Sequence, residues 1–169
     1  MSAFFFILVQ FAIIAYALVG GVFLAFSDFI MRALSLTGGT GGVEAMQVIN
    51  REVFRWVFMA LFLGMAAVSL AIAGYGVANL DHPAGALILA AGLIYLIGCF
   101  GVTIFFNVPM NEALAGMKLS EDATRAYWTC TYLPRWTFWN TVRTLASVLA
   151  AALLLIGLNW SVQIQRLGG

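Results

Sequence analysis

The stretch "ALILAAGLIYLIGCFGVTIFFNVPMNEAL", Ala86–Leu114, begins with an apolar run that carries no charge and closes on Asn107, Pro109, Asn111 and Glu112. A helix of about 20 residues crosses a bilayer, so Ala86–Phe106 is long enough to span one. Three further runs match it: Phe4–Phe26, Val53–Val77 and Phe138–Trp160. Composition agrees, with 63% of the 169 residues hydrophobic and 9% charged. Soluble domains carry roughly a quarter charged residues. The chain is therefore expected to be all-α: a polytopic membrane protein, one four-helix transmembrane bundle over residues 1–169. "AYA" at Ala15–Ala17 looks like a signal-cleavage tripeptide, but no Lys or Arg precedes it and the apolar run continues beyond it, so a retained span is expected.

The basic residues predict sidedness. Arg32, Arg51 and Arg55 lie in or beside the first connection, and Lys118, Arg125, Arg135 and Arg143 in or beside the third. The second connection has none and the tail has Arg166. The positive-inside rule then puts both long connections in the cytoplasm and both termini outside, in a plasma or bacterial inner membrane. Both long connections carry short helical segments. "VEAMQVINREVF" has apolar residues at helical spacing after the glycines of "TGGTGG", and is expected to run straight into the second span. In the third connection Ser120, Glu121 and Asp122 read as a helix start, and Pro134 as its stop.

Small residues spaced by four, Ala17–Gly21–Ala25 and Ala60–Gly64, together with Gly98, are expected to let helices approach closely. They fit contacts within one chain or between copies, which leaves a homo-oligomer open. Cys99 and Cys130 make no disulfide framework, and the single His82 excludes a His-rich metal site. No basic cluster speaks for nucleic acid, and no Gly-rich strand-to-helix motif for a nucleotide.

The polar residues of the spans gather at one depth. Asp28 and Arg32 share a face at the end of the first, Asn50 precedes the second, and Asn107 and Asn111 share a face on the third. Trp136, Asn140 and Arg143 follow one face of the fourth. Together they read as the walls of a polar pocket at the cytoplasmic end. A structural role competes with this for several of them. Trp128, Trp136 and Arg135 have the character of interfacial anchors, and Asp28–Arg32 that of a helix-end ion pair. Asn107 and Asn111 can staple the carbonyl that Pro109 leaves free.

Four segments, "GGVFLAFSDFIMRAL", "GGVEAMQVINREV", "TIFFNVPMNEAL" and "WTFWNTVRT", together resemble the anthrone-oxygenase-like family of four-helix membrane proteins, from Gly20 to Thr144. The family is mostly catalogued as a domain of unknown function; a fungal polyketide branch oxidises a polycyclic anthrone to an anthraquinone. The resemblance implies a cofactor-independent oxygenase. Such a site needs a base, for which Asp28 and Glu112 are the candidates. It needs donors where negative charge develops, for which Asn107, Asn111, Asn140 and Arg143 qualify. It needs flat surfaces, with Trp136 or Trp139 placed to stack on an aromatic ligand and Asn50 and Arg32 beside it. No cofactor and no metal is expected. Two other readings remain open at this point: a non-catalytic membrane protein holding a lipid- or quinone-like molecule, and a scaffold subunit with no cavity.

Overall fold

The computed structural model describes Ser2–Leu167, leaving aside the side chains of Trp56 and residues 164–167. Arg166, the basic residue of the tail, lies outside the described side chains. Five helices account for the architecture: α1 Ala3–Ser35, α2 Gly41–Glu52, α3 Trp56–Ala78, α4 Pro83–Ala115 and α5 Asp122–Gln163. All but α2 are long and apolar enough to cross a membrane. No strand occurs among the described residues.

Each span is apolar on every face, which is how a helix surrounded by lipid on one side and protein on the other must look. On α1 the bundle takes Val9, Ala12, Tyr16, Val19 and Phe23, all buried, while Phe4, Ile7, Phe11, Ile14 and Leu18 point outward. Large apolar side chains exposed on all four spans leave nothing but hydrocarbon as a suitable surround. The chain is an integral membrane protein. In the bundle α1 packs on α5, α5 on α4 and α4 on α3, and α3 closes the ring more lightly against α1. Midway, the Tyr16 hydroxyl pairs with Ser69 Oγ at 2.6 Å and its ring stacks on Tyr95, 4.5 Å between centroids. Both polar tips are thus satisfied without water.

The helix ends differ from the sequence reading at three places. Pro134 does not stop a helix, nor do Asn107 and Pro109. In each case a π-helical turn precedes the proline, Thr103–Asn107 and Trp128–Tyr132. There the Val108 N–H reaches Thr103 O and the Leu133 N–H reaches Trp128 O, five residues back instead of four. A proline clashes with the carbonyl four residues before it and lacks the N–H to bond it. Widening the preceding turn removes the clash, so the helix continues. Two more π turns sit at Phe26–Ile30 and Tyr95–Gly101. Finally, α2 does not run straight into α3. Arg55 is extended, its N–H returns to Glu52 O, and its side chain pairs with Glu52 at 2.6 Å. The break lets α2 lay Val43, Met46 and Asn50 across the bundle end before α3 enters the membrane.

The predicted small-residue stripes face outward. Ala17, Gly21, Ala60 and Gly64 are exposed, and a methyl group on Gly21 or Gly64 would meet nothing. Close approach happens elsewhere. A Cβ on Gly76 would overlap the backbone of Leu89, and one on Gly92 would lie 2.7 Å from Ser69 O, while Gly98 does contact Ala146 as expected. In an all-apolar helix the spacing of small residues does not reveal which stripe is inside. Gly76→Ala is therefore expected to destabilise the detergent-solubilised protein by the upper end of about 1–3 kcal/mol. Gly21→Ala should stay within about 0.5 kcal/mol of wild type. Thermal unfolding of the two variants side by side checks this, and equal melting would mean that α3 and α4 are not in backbone contact.

Candidate functional site

Where α1 and α3 splay apart, beneath α2, the bundle encloses a cavity of about 480 Å³. It lies at the end that carries the two long connections. Phe54, 68% exposed, stands at its mouth with Arg51 and Glu112; Phe62, 4% exposed, and Arg143 lie at its inner end. Most of the wall is apolar: Phe23 and Phe26 from α1, Met46 and Ile49 from α2, and Phe58, Met59 and Phe62 from α3. The polar exceptions are few, as is usual for a pocket that binds small molecules.

Arg143 is the principal one. It is 5% exposed, near the middle of α5, and no carboxylate pairs with it among the described residues. One terminal nitrogen donates to Asn140 Oδ1 at 2.6 Å and the other to Thr103 Oγ1 at 3.2 Å. Its guanidinium carbon lies 4.1 Å from the centre of the Phe23 ring and 5.2 Å from that of Trp136. Aromatic faces offer a cation only part of what a carboxylate would. The Nε–H has no partner among the described residues. A buried, positively charged donor without its counter-charge thus borders an apolar space.

Asn140 fixes that arginine. Its Nδ2 donates to Phe23 O at 2.6 Å and to Ser27 Oγ at 2.7 Å, and its Oδ1 accepts from Arg143. The amide ties α5 to α1 at the start of the α1 π turn, adding a donor from the neighbouring helix to the Phe23 carbonyl. On the opposite side, Asn111 Oδ1 accepts from the Tyr132 hydroxyl at 2.7 Å and from Trp136 Nε1 at 2.8 Å. Asn50 Nδ2 donates to the same Tyr132 hydroxyl at 3.3 Å. Behind them, Gln47 Nε2 holds the Leu114 and Met117 carbonyls at 2.8 and 3.1 Å, pinning α2 to the end of α4.

The sequence-predicted residues divide into three groups. Asn50, Asn111, Glu112, Trp136 and Arg143 line the cavity. Asn107 and Asn140 are fully buried behind its wall; Asn107 donates to Trp136 O at 3.3 Å and its own Oδ1 is unpartnered among the described residues. Asp28, Arg32 and Trp139 are elsewhere. Asp28 and Arg32 are exposed and do not form the expected ion pair, because the Phe26–Ile30 π turn shifts the register that their spacing assumed. Trp139 stacks on Phe106 at 3.7 Å, away from the cavity. Trp128 and Trp136 are buried rather than interfacial. The sequence reading gave no part to Tyr132, Gln47, Thr103 or Ser27. Tyr132 stands four residues before Trp136, a same-face pair that reading Pro134 as a stop concealed. Among the described residues no group of three or more His, Cys, Asp or Glu comes together that could hold a metal ion.

Fold and cavity define a class: a four-span integral membrane protein whose polar side chains converge on an apolar chamber at one end of the bundle. A family model described as anthrone oxygenase matches residues 51–153, more than half of the chain, and the chain belongs to the anthrone oxygenase family. No curated protein and no solved structure matches it. The matched region carries α3, α4 and α5 as far as Leu153, and so most of the cavity wall.

Proposed function

We propose that the protein binds a flat, weakly acidic aromatic molecule in this cavity and promotes its oxidation by O₂. The observation that carries the reading is Arg143: a buried cation with no carboxylate partner among the described residues, bordering a mostly apolar chamber. Such a group is costly to bury unless something anionic completes it. An anthrone that loses a proton from its ring methylene becomes an enolate-type anion with the charge on oxygen. Arg143 supplies N–H donors where that charge develops. The anion gives an electron to O₂, the two radicals join at the former methylene carbon, and the hydroperoxide loses water to leave a second carbonyl. One O₂ is consumed, one anthraquinone and one water are formed, and no other oxidant is needed. Glu112, a carboxylate at the mouth, is the base this reading assigns; Asp28, exposed and away from the cavity, is not. Val22 and Phe54 line the cavity and are exposed, which suits a ligand that arrives from the bilayer. With the connections in the cytoplasm, as the basic residues predict, the chamber opens on that side.

A second reading is favoured by one observation, that among the described residues no carboxylate is buried beside Arg143. A protein that only holds a lipid- or quinone-like acid needs the cation and no base. Oxygen uptake separates the two. Purified protein in detergent, given an anthrone, is expected to consume one O₂ per anthraquinone formed, faster than empty micelles do. Tight binding without added oxygen uptake would leave the carrier reading standing and sink the oxygenase.

A further inference from the structure

We infer that Asn111 is a second recognition point of the cavity, a fixed N–H donor that reads an oxygen atom on the ligand, so that the ligand class is an oxygenated arene rather than a simple amphiphilic acid. The inference rests on the binding reading above and sharpens it. The side-chain amide of asparagine has one accepting oxygen and one donating nitrogen. Here Oδ1 accepts two donors that have no alternative role, the Tyr132 hydroxyl at 2.7 Å and the Trp136 indole N–H at 2.8 Å. The indole can only donate, so turning the amide over would set its NH₂ against another N–H. The orientation is therefore determined by the partners. With Oδ1 turned toward α5, Nδ2 is left for the chamber that Asn111 lines, and among the described residues it donates to no protein atom.

Tyr132 is fully buried, receives Asn50 Nδ2 and stacks against Trp128 and Trp136 at 5.3 and 6.1 Å. It does not line the cavity, which makes it a positioning residue: it acts by holding the amide. A fatty acid would engage Arg143 through its carboxylate and place only hydrocarbon near Asn111, leaving a polar N–H unpaired. A ring system bearing hydroxyl or carbonyl groups offers acceptors to both. A polar group that the wrong ligand leaves unpaired is what gives such sites their selectivity.

The test measures binding of a hydroxylated anthrone and of anthracene to the purified protein under anaerobic conditions, by quenching of Trp fluorescence. Asn111→Asp retains an acceptor for Tyr132 and Trp136 but replaces the donor by a second oxygen. It is expected to weaken the hydroxylated anthrone about 10-fold or more, as for loss of a bond to a charged acceptor, and to leave anthracene unchanged. Tyr132→Phe removes one of the two donors that orient the amide, so Nδ2 is held less firmly toward the chamber, and it should weaken the anthrone several-fold with anthracene again unchanged. It keeps the inference open to refutation should Asn111→Asp fail to fold. Equal loss of both probes, or no loss of either, overturns the role of Asn111 while the binding reading survives. Wild-type protein that binds neither probe overturns both.

Discussion

Replacing Arg143 by methionine is expected to lower turnover of an anthrone by about 10²–10³-fold, the usual loss when one donor to a developing oxyanion is removed. Melting should move by only a few degrees. Two terms oppose each other in the fold. Asn140 Oδ1 and Thr103 Oγ1 lose their donor, which costs about 1–3 kcal/mol for a buried acceptor left unpaired. Against this, an uncompensated buried charge disappears, and such charges cost several kcal/mol. The methionine also fills much of the volume between Phe23 and Trp136 and keeps contact with both rings. Activity and stability are thus expected to separate. Collapse of both together in a thermal melt and an oxygen-uptake assay would mean that Arg143 holds the bundle, and the argument for an anionic ligand would lose its footing.

A clear loss of stability is expected at Asn140. Asn140→Leu removes the donor to Phe23 O and Ser27 Oγ and the acceptor of Arg143 in one change. Individual polar contacts between membrane helices are worth only about 0.6 kcal/mol on average. The larger part of the loss comes from the guanidinium, whose remaining hydrogen bond is to Thr103, and a hydrogen bond to a charged group is worth about 1.5–3 kcal/mol. Asn140→Leu should therefore melt well below wild type. Supplying a ligand that pairs with Arg143 should restore part of the loss, since binding to the folded state stabilises it. A variant that melts like wild type would show that the amide bridges nothing of consequence between α1 and α5.

Much of the fold was legible because lipid imposes a coarse rule: a run of apolar residues of the right length is a span, and there are four. The ends of those spans were not legible. Pro109 and Pro134 carry the signal of a helix stop, and nothing in a local pattern announces that a π turn will absorb the missing N–H. The same blind spot misplaced Asp28, whose pairing with Arg32 presumes an unbroken α-helical register. Glycine stripes failed for a different reason. When both faces of a helix are apolar, Gly21 inside and Gly21 outside look alike. For the site, type was a better guide than spacing. Asn111, Arg143, Asn140 and Asn107 stood out because each is expensive in hydrocarbon, and all four prove to be engaged at or just behind the cavity. Tyr132, Phe58 and Phe62 are ordinary residues for a membrane helix, and only the three-dimensional arrangement sets them beside the others.

The π turns also act as an angular phase adjustment. Each inserts one residue beyond what an α-helix needs, and one residue corresponds to a rotation of about 100°. Everything beyond Thr103–Asn107 on α4 is therefore dialled round relative to the span below it, and α5 is dialled likewise at Trp128–Tyr132. Asn111, beyond the first of these turns, meets Tyr132, the last residue of the second. A single-residue deletion within Thr103–Asn107 would leave a perfectly good transmembrane helix, equally long and equally greasy, whose asparagine points the wrong way. Selection on hydrophobicity could not see that change, whereas selection on the chamber would.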